Sequence, residues 1–479
     1  MTGIACTLLS AFGFYFSLGL GDQWWLAWLA PIPVLWFAFG DARGWRVFAA
    51  CAFAMALGAS SVLRAYGKSL PASVLVLSIA APSLALAASA MGARRVKHAF
   101  GPLAATVTFA TLWTAFDFLA SFSKSGGSVG TPAATEVSMP MLIQVASLVG
   151  FPGITFLLSI VPAGIAASMR TRSPLPVATA LALFAANAVY GYWRMSLPPS
   201  GTMRVALIES DDAVGRFRAD DREATLKAID AYVASIEKLN DTHAQLIVLP
   251  ENISRVAPEW RDEVQARLAA ASNESNATLV AGFNTTIHNT QHNISWAFTP
   301  GETTPTTYEK RHLVPVLESA VFTAGSGPRV LANGIGLEIC KDMDFQAMLR
   351  NDEVQTTPIL LAVPAWDFGA DDWSHARVAI LRSVENGVPM ARSARNGLLT
   401  LNDRYGRLIV RAKTTGFFTV LTGDLPLNGR GGNTVYDAIG DAFGWLCVVL
   451  SVVAMAWSLI RARQVATKSP RGDGITFLS

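Results

Sequence analysis

Seven apolar runs crowd the first 200 residues, near 4–20, 22–40, 45–65, 70–92, 99–122, 139–168 and 174–193. Each is close to the roughly 20 residues that an α-helix needs to cross a bilayer. An eighth runs from about 442 to 460. In lipid a backbone must satisfy its own hydrogen bonds, and a helix does so within one segment. The chain is therefore expected to open with a multi-span α-helical membrane domain over 1–200 and to close with a further span and tail over 433–479. Charge placement agrees. Of 38 basic and 35 acidic residues, positions 1–200 hold only 11 and 4, so 201–432 is expected to be a separate, water-facing domain. No basic stretch precedes the first run and other spans follow closely, which argues against a cleaved signal peptide. A net charge of +3 gives no footprint for nucleic acid. An apolar content of 51% excludes disorder, and four cysteines in 479 residues exclude a disulfide scaffold.

Orientation follows from basic residues in short loops. With a cytoplasmic N-terminus, the inner segments carry Arg43, Arg46, Arg94, Arg95, Lys97, Arg170, Arg172, Arg461, Arg463, Lys468 and Arg471. The outer loops carry only Arg64, Lys68 and Lys124. Both termini are then expected inside and the 201–432 block outside. Asp117 is the ionisable residue that falls clearly within a span. It is either functional, because buried membrane charge is expensive, or hydrated near the outer end of its helix.

From Met203 the texture changes. Short runs such as MRVALIE (203–209), QLIVLP (245–250), ATLVAGF (277–283), GIGLEIC (334–340) and PILLAVP (358–364) read as strands. Helices are expected over 219–240, 258–272, 343–352 and 371–387. This alternation predicts a layered α/β sandwich with helices outside.

Three of the cysteines, Cys6, Cys51 and Cys447, fall in spans, which leaves Cys340 alone in the outer block. It ends a strand before an expected helix, a geometry that lifts a nucleophile out of a sheet. A buried cysteine acting as a small hydrophobe is the alternative. Glu251 also follows a strand and is either a general base or an acid in a helix first turn. Lys310, in YEKRHLVP, is either an oxyanion stabiliser or a surface lysine on a hairpin. A Glu/Lys pair would give Cys340 both proton removal and charge. The sequence carries no His-x-His, Cys-x-x-Cys or glycine-rich phosphate loop, so neither metal nor cofactor is expected. His312 and His375 read as structural.

The order LPEN, YEKRHLVP, GLEICKD resembles the nitrilase, or carbon–nitrogen hydrolase, superfamily. With spans on both sides, the whole chain resembles its bacterial apolipoprotein N-acyltransferase family. The resemblance implies an α-β-β-α sandwich and a triad of Glu251, Lys310 and Cys340. It adds Glu318, eight residues after Lys310, and aligns Asp117 with an acid of a membrane motif in TLWTAFDFL (111–119). PMLIQVASLVGFPGITFLL (140–158), RSARNG (392–397) and GNTVYDAIGD (432–441) also resemble family segments. Lys341-Asp342 stand where the family usually has Tyr-Glu, Ala120 where it has Arg, and Glu209 where it has Gln; Phe217 is the nearest aromatic to a usual Trp. The interval from Lys310 to Cys340 is short.

What the resemblance implies is acyl transfer from a membrane phospholipid, through a cysteine thioester, to the N-terminal amine of a lipoprotein's diacylglyceryl cysteine. The enzyme would be a monomer in the bacterial inner membrane with its catalytic domain on the periplasmic side. A membrane-tethered amidase, a transferase with another amine acceptor, and a non-catalytic membrane scaffold are the rival readings. Paired charges and inverted repeats, which would mark a transporter, are not seen in the spans.

Overall fold

Apolar helices account for most of the first 200 residues in the computed structural model, which describes residues 2–67, 70–211, 221–429 and 434–468. Lys68, Phe217 and Arg471 lie outside the described residues. The chain separates into two compact units. One comprises Met1–Asp117, Thr155–Ala185 and Phe443–Ser479; the other comprises Phe118–Ile154 and Ala186–Ala442.

Among the described residues, six helices are long and apolar enough to cross a membrane: Gly44–Tyr66, Ala72–Phe100, Pro102–Ala120, Phe151–Thr171, Leu175–Met195 and Ala442–Gln464. The first two expected runs are also helical, but shorter, at Gly3–Ser17 and Trp24–Ala38. The run expected over 139–168 divides. Residues Pro140–Ile143 form a 3-10 turn, Ala146–Val149 a single helical turn, and the long helix starts only at Phe151. Gly150, at φ 71°, makes the break, and Pro152 then favours a fresh helix start.

The membrane-type unit packs closely. A Cβ at Gly58 would lie 2.3 Å from Phe14 Cβ, so only glycine lets these two helices meet there. Arg94 donates to the carbonyls of Ala38 (2.8 Å) and Ala42 (2.6 Å), at the end of helix Pro31–Ala38, and Lys97 donates to Phe39 O. Some of the basic residues on which the expected orientation rests thus satisfy carbonyls left open at a helix end. Asp117 is buried and accepts a 2.6 Å hydrogen bond from the Thr155 hydroxyl, so the hydrated alternative does not describe it.

The second unit is an α-β-β-α sandwich, as the sequence predicts. Its strands are β1 (Gly201–Glu209), β2 (Leu246–Val248), β3 (Arg255–Val256), β4 (Thr278–Ile287), β5 (Thr290–Phe298), β6 (Thr306–Glu309), β7 (Arg329–Val330), β8 (Ile335–Leu337), β9 (Leu360–Trp366), β10 (Met390–Arg395), β11 (Leu398–Asn402), β12 (Leu408–Lys413) and β13 (Thr419–Leu427). One sheet has the order β13-β1-β2-β4-β5-β6, with β3 also on β4; the other has the order β12-β11-β10-β9-β8-β7. Strand alternation divides the side chains. Val205 and Leu207 of β1 face the second sheet's Leu337, Leu360 and Leu399, while Ala206 and Ile208 pack under helices Arg222–Glu237 and Arg261–Ser275. Helices Gln346–Thr356 and Asp372–Asn386 cover the far face of the second sheet.

Segment 118–154 and the end of helix Leu175–Met195 pack with this unit. Gln144 donates to Tyr405 O (2.8 Å), Phe151 N to Glu385 (2.7 Å) and Ser128 to Asp344 O (2.9 Å). These side-chain and backbone donors find buried acceptors there that lipid could not supply.

Candidate active site

β2 and β8 lie in different sheets, β2 parallel to β1 and β4, β8 parallel to β9 and antiparallel to β7, yet both release the chain beside the C-terminal end of β9 at Ala365 and Trp366. Glu251 follows β2 after Pro250, and its amide donates to Ala365 O of β9 (3.2 Å). β4 crosses so near that a Cβ at Gly282 would lie 2.6 Å from Glu251 Cα. Cys340 follows β8 and opens a 3-10 turn, Cys340–Asp344. Its φ is 42°, the left-handed region that L-residues with a side chain rarely adopt. Strain of this kind concentrates at functional sites. The thiol is a free one, with Sγ 3.6 Å from Trp366 O.

Lys310 leaves β6 with its amide on Asn293 O (2.9 Å) and turns inward. It is 1% exposed, which removes the surface-lysine reading. Its Nζ lies 2.8 Å from Glu251 Oε1 and 2.8 Å from Glu318 Oε2. Glu318 is carried in by the loop after Lys310 and also accepts from Val314 N (2.7 Å). Asn293, on β5, donates to Glu251 Oε1 (2.6 Å) and Glu318 Oε1 (3.0 Å). Sequence reasoning missed Asn293. Its signal was available: in NISWA (293–297) it occupies the inward alternation shared with Ser295 and Ala297, where a polar side chain needs a partner.

Electrostatics separate the groups. Burial would pull the Lys310 ammonium down, but Glu251 and Glu318 outweigh it and hold it well above its ordinary value. Burial pushes Glu251 up, Lys310 opposes, and Glu318 adds to the rise. The Cys340 thiol is pushed well above its usual range by burial and by Glu251, against Lys310 and Arg392. Burial thus favours Cys340 as a thiol, from which a base would have to take the proton before the sulfur could act as a nucleophile. Glu251 Oε2 is buried with no hydrogen-bond partner, an acceptor site left open. Behind the cysteine, Arg392 is paired with Asp367 and donates to Leu398 O (3.1 Å).

Of the remaining expected residues, Asp342, Lys341, His375 and His312 lie in the same unit as this group. Asp342 is fully buried and accepts from Tyr308 OH (2.8 Å), Arg311 N (3.2 Å) and His312 N (2.8 Å), which fixes the turn bearing Lys310. Lys341 reaches Asp344 (3.2 Å). His375 pairs with Asp371 (2.9 Å), which outweighs burial and lifts it to about 9. His312 stacks on Phe345 at 3.5 Å. Asp117 falls in the other unit.

Comparison with known proteins gives two family matches: "Carbon-nitrogen hydrolase" over residues 204–429, and "Apolipoprotein N-acyltransferase N-terminal domain" over residues 8–164. Among curated relatives, the apolipoprotein N-acyltransferase of Geobacter metallireducens is 25% identical and covers 91% of both chains. That of Gloeobacter violaceus is 25% identical over 81% of this chain and 75% of the relative. Among solved structures, an amidase from Nesterenkonia sp. matches with a TM-score of 0.41 and 21% identity, over 48% of this chain and 93% of that one.

Proposed function

The chain belongs to the apolipoprotein N-acyltransferase family, and from that premise we propose that it moves an acyl chain from a membrane phospholipid to the N-terminal amine of a diacylglyceryl-cysteine lipoprotein. Cys340 is the nucleophile, Glu251 the base, and Lys310 the cation that stabilises developing negative charge. Glu251 takes the thiol proton as sulfur attacks the ester carbon. Lys310 and the amide after Cys340 hold the oxyanion. The intermediate collapses to a thioester, and the departing lysophospholipid alkoxide takes the proton back from Glu251. The acceptor amine then attacks the thioester, Glu251 accepts its proton, and the amide leaves as the thiol reforms. Glu318 and Asn293 position Lys310 and Glu251.

The observation that carries this reading is Cys340, held in a strained turn beside a lysine shared by two carboxylates. A second observation favours a lipid over a small soluble amide. The loop that brings Glu318 inward exposes Val316 (67%), Leu317 (50%) and Val321 (52%). Exposed apolar side chains in such a cluster mark contact with lipid or a partner. The same proposal puts this unit on the periplasmic side of the inner membrane, and the excess of basic residues in the segments expected inside supports it.

The test is a transfer assay with purified protein, phospholipid and a diacylglyceryl-cysteine peptide. Mass spectrometry should find one acyl chain on the peptide amine and an equal amount of lysophospholipid. Free fatty acid released at the same rate with or without peptide would make the protein a hydrolase instead.

A further inference from the structure

A cavity of about 360 Å³ lies in the second unit, away from Cys340, and none of Glu251, Lys310 and Cys340 lines it. Its walls include Leu197, just before β1, Pro389, just before β10, and Asn428, just after β13. Because β13 pairs antiparallel with β1, from Gly201↔Leu427 to Glu209↔Thr419, these positions share one end of the sandwich. Glu251 and Cys340 occupy the opposite end, after the C-termini of β2 and β8.

Two guanidinium groups line the cavity. Arg194 is buried and donates to the neutral acceptors Gln144 Oε1 and Val384 O. Arg404 donates to Tyr405 OH (2.8 Å), while its Nε is buried with no acceptor. Arg407, which packs with both over the Tyr405 ring, is answered by Asp403 at 2.6 Å. The nearby Asp437 is engaged by Thr434 N (3.0 Å). Among the described residues neither Arg194 nor Arg404 has a carboxylate within ion-pair distance; Asp403 and Asp437 act on Arg194 from further off, and Asp437 Oδ1 is without a hydrogen-bond partner. Tyr190 and Trp193 line the same wall, on the last turns of an apolar helix long enough to span a membrane. Aromatic residues at such helix ends mark the headgroup level of a bilayer.

We infer that this cavity binds the phosphate of an anionic phospholipid headgroup, as a resident lipid separate from the one proposed to be turned over. Planar guanidinium forks match phosphate oxygens, and the volume falls within the range of small-ligand sites.

The test uses the full chain in neutral detergent with a phosphatidylglycerol carrying a photoactivatable headgroup, followed by peptide mapping. Labelling is expected on peptides containing Tyr190–Leu197 or Arg404–Arg407. It should fall about tenfold in Arg404→Gln, the loss expected for one charged hydrogen bond, and persist in Arg404→Lys. The same label on phosphatidylcholine should give little signal there, and excess inorganic phosphate should not displace the anionic lipid. Undiminished labelling in Arg404→Gln, or equal labelling by phosphatidylcholine, overturns the inference. Displacement by inorganic phosphate overturns the lipid source and leaves a free-phosphate site. Cys340→Ala should label like wild type, so this result stands or falls apart from the acyl-transfer reading.

Discussion

Lys310 and Arg311 are neighbours in sequence, yet each enters a different buried charge cluster. Arg311 meets Glu338 (2.9 Å) and Asp352, and its Nε donates to Tyr308 OH (3.1 Å). Beside it, Asp342 accepts three hydrogen bonds. Lys310 meets Glu251 and Glu318, but there Glu251 Oε2 and Asn293 Oδ1 are left without partners, close to the thiol of Cys340. Burial and charge are common to both clusters, so neither property alone points to catalysis. Unused bonding capacity beside a free thiol does. A cluster that satisfies its atoms holds a turn; one that leaves an acceptor open has something further to bind or deprotonate.

The contrast can be broken most sharply at Cys340. Cys340→Ala should lower transfer by on the order of 10⁴-fold or more, because no neighbouring group replaces the sulfur. Its thermal unfolding should stay near wild type. Next come Lys310→Met and Glu251→Gln, each expected to abolish measurable transfer. The double variant should be no worse than either single one, since residues acting as one unit are not additive. Arg311→Ala should behave oppositely. Removing one partner of a buried pair costs about 3–5 kcal/mol, so its melting temperature should drop while activity per folded molecule changes little. If Arg311→Ala abolished turnover without destabilising the fold, the division between the two clusters would fail.

The sequence made the candidate catalytic group legible because each member sits in a short motif at a strand end: LPEN for Glu251, YEKRHLVP for Lys310, GLEIC for Cys340. Their convergence depends on which strands run parallel, which no local pattern reports. β13 went unread for the same reason, since its partner β1 lies more than 200 residues earlier. Local chemistry would have divided the 139–168 run at Gly150 and Pro152, but its uniform apolarity concealed the break. Asn293 was hidden because its partners, Glu251 and Glu318, come from distant segments.

A smaller effect concerns Glu209, at the end of β1. Burial and the adjoining Asp211 carboxyl push it up to about 9. Its folded value exceeds the ordinary carboxylate value near 4.5, so the folded state holds a proton that the unfolded state releases. The stability this contributes is fully present below about pH 4.5 and is lost as pH rises through about 9. Glu209→Gln should therefore flatten the decline of melting temperature on the alkaline side and change little in acid. An unchanged alkaline slope would mean that Glu209 is not the titrating group.

The central claim is that a covalent acyl group passes through Cys340. Intact-mass measurement of the purified protein after exposure to phospholipid alone tests it most directly. The account predicts a mass increase of one acyl chain, mapped to Cys340, absent in Cys340→Ala and removed when the diacylglyceryl-cysteine peptide is added. Acylation of the peptide by a protein that never carries the adduct, or by Cys340→Ala, would contradict it.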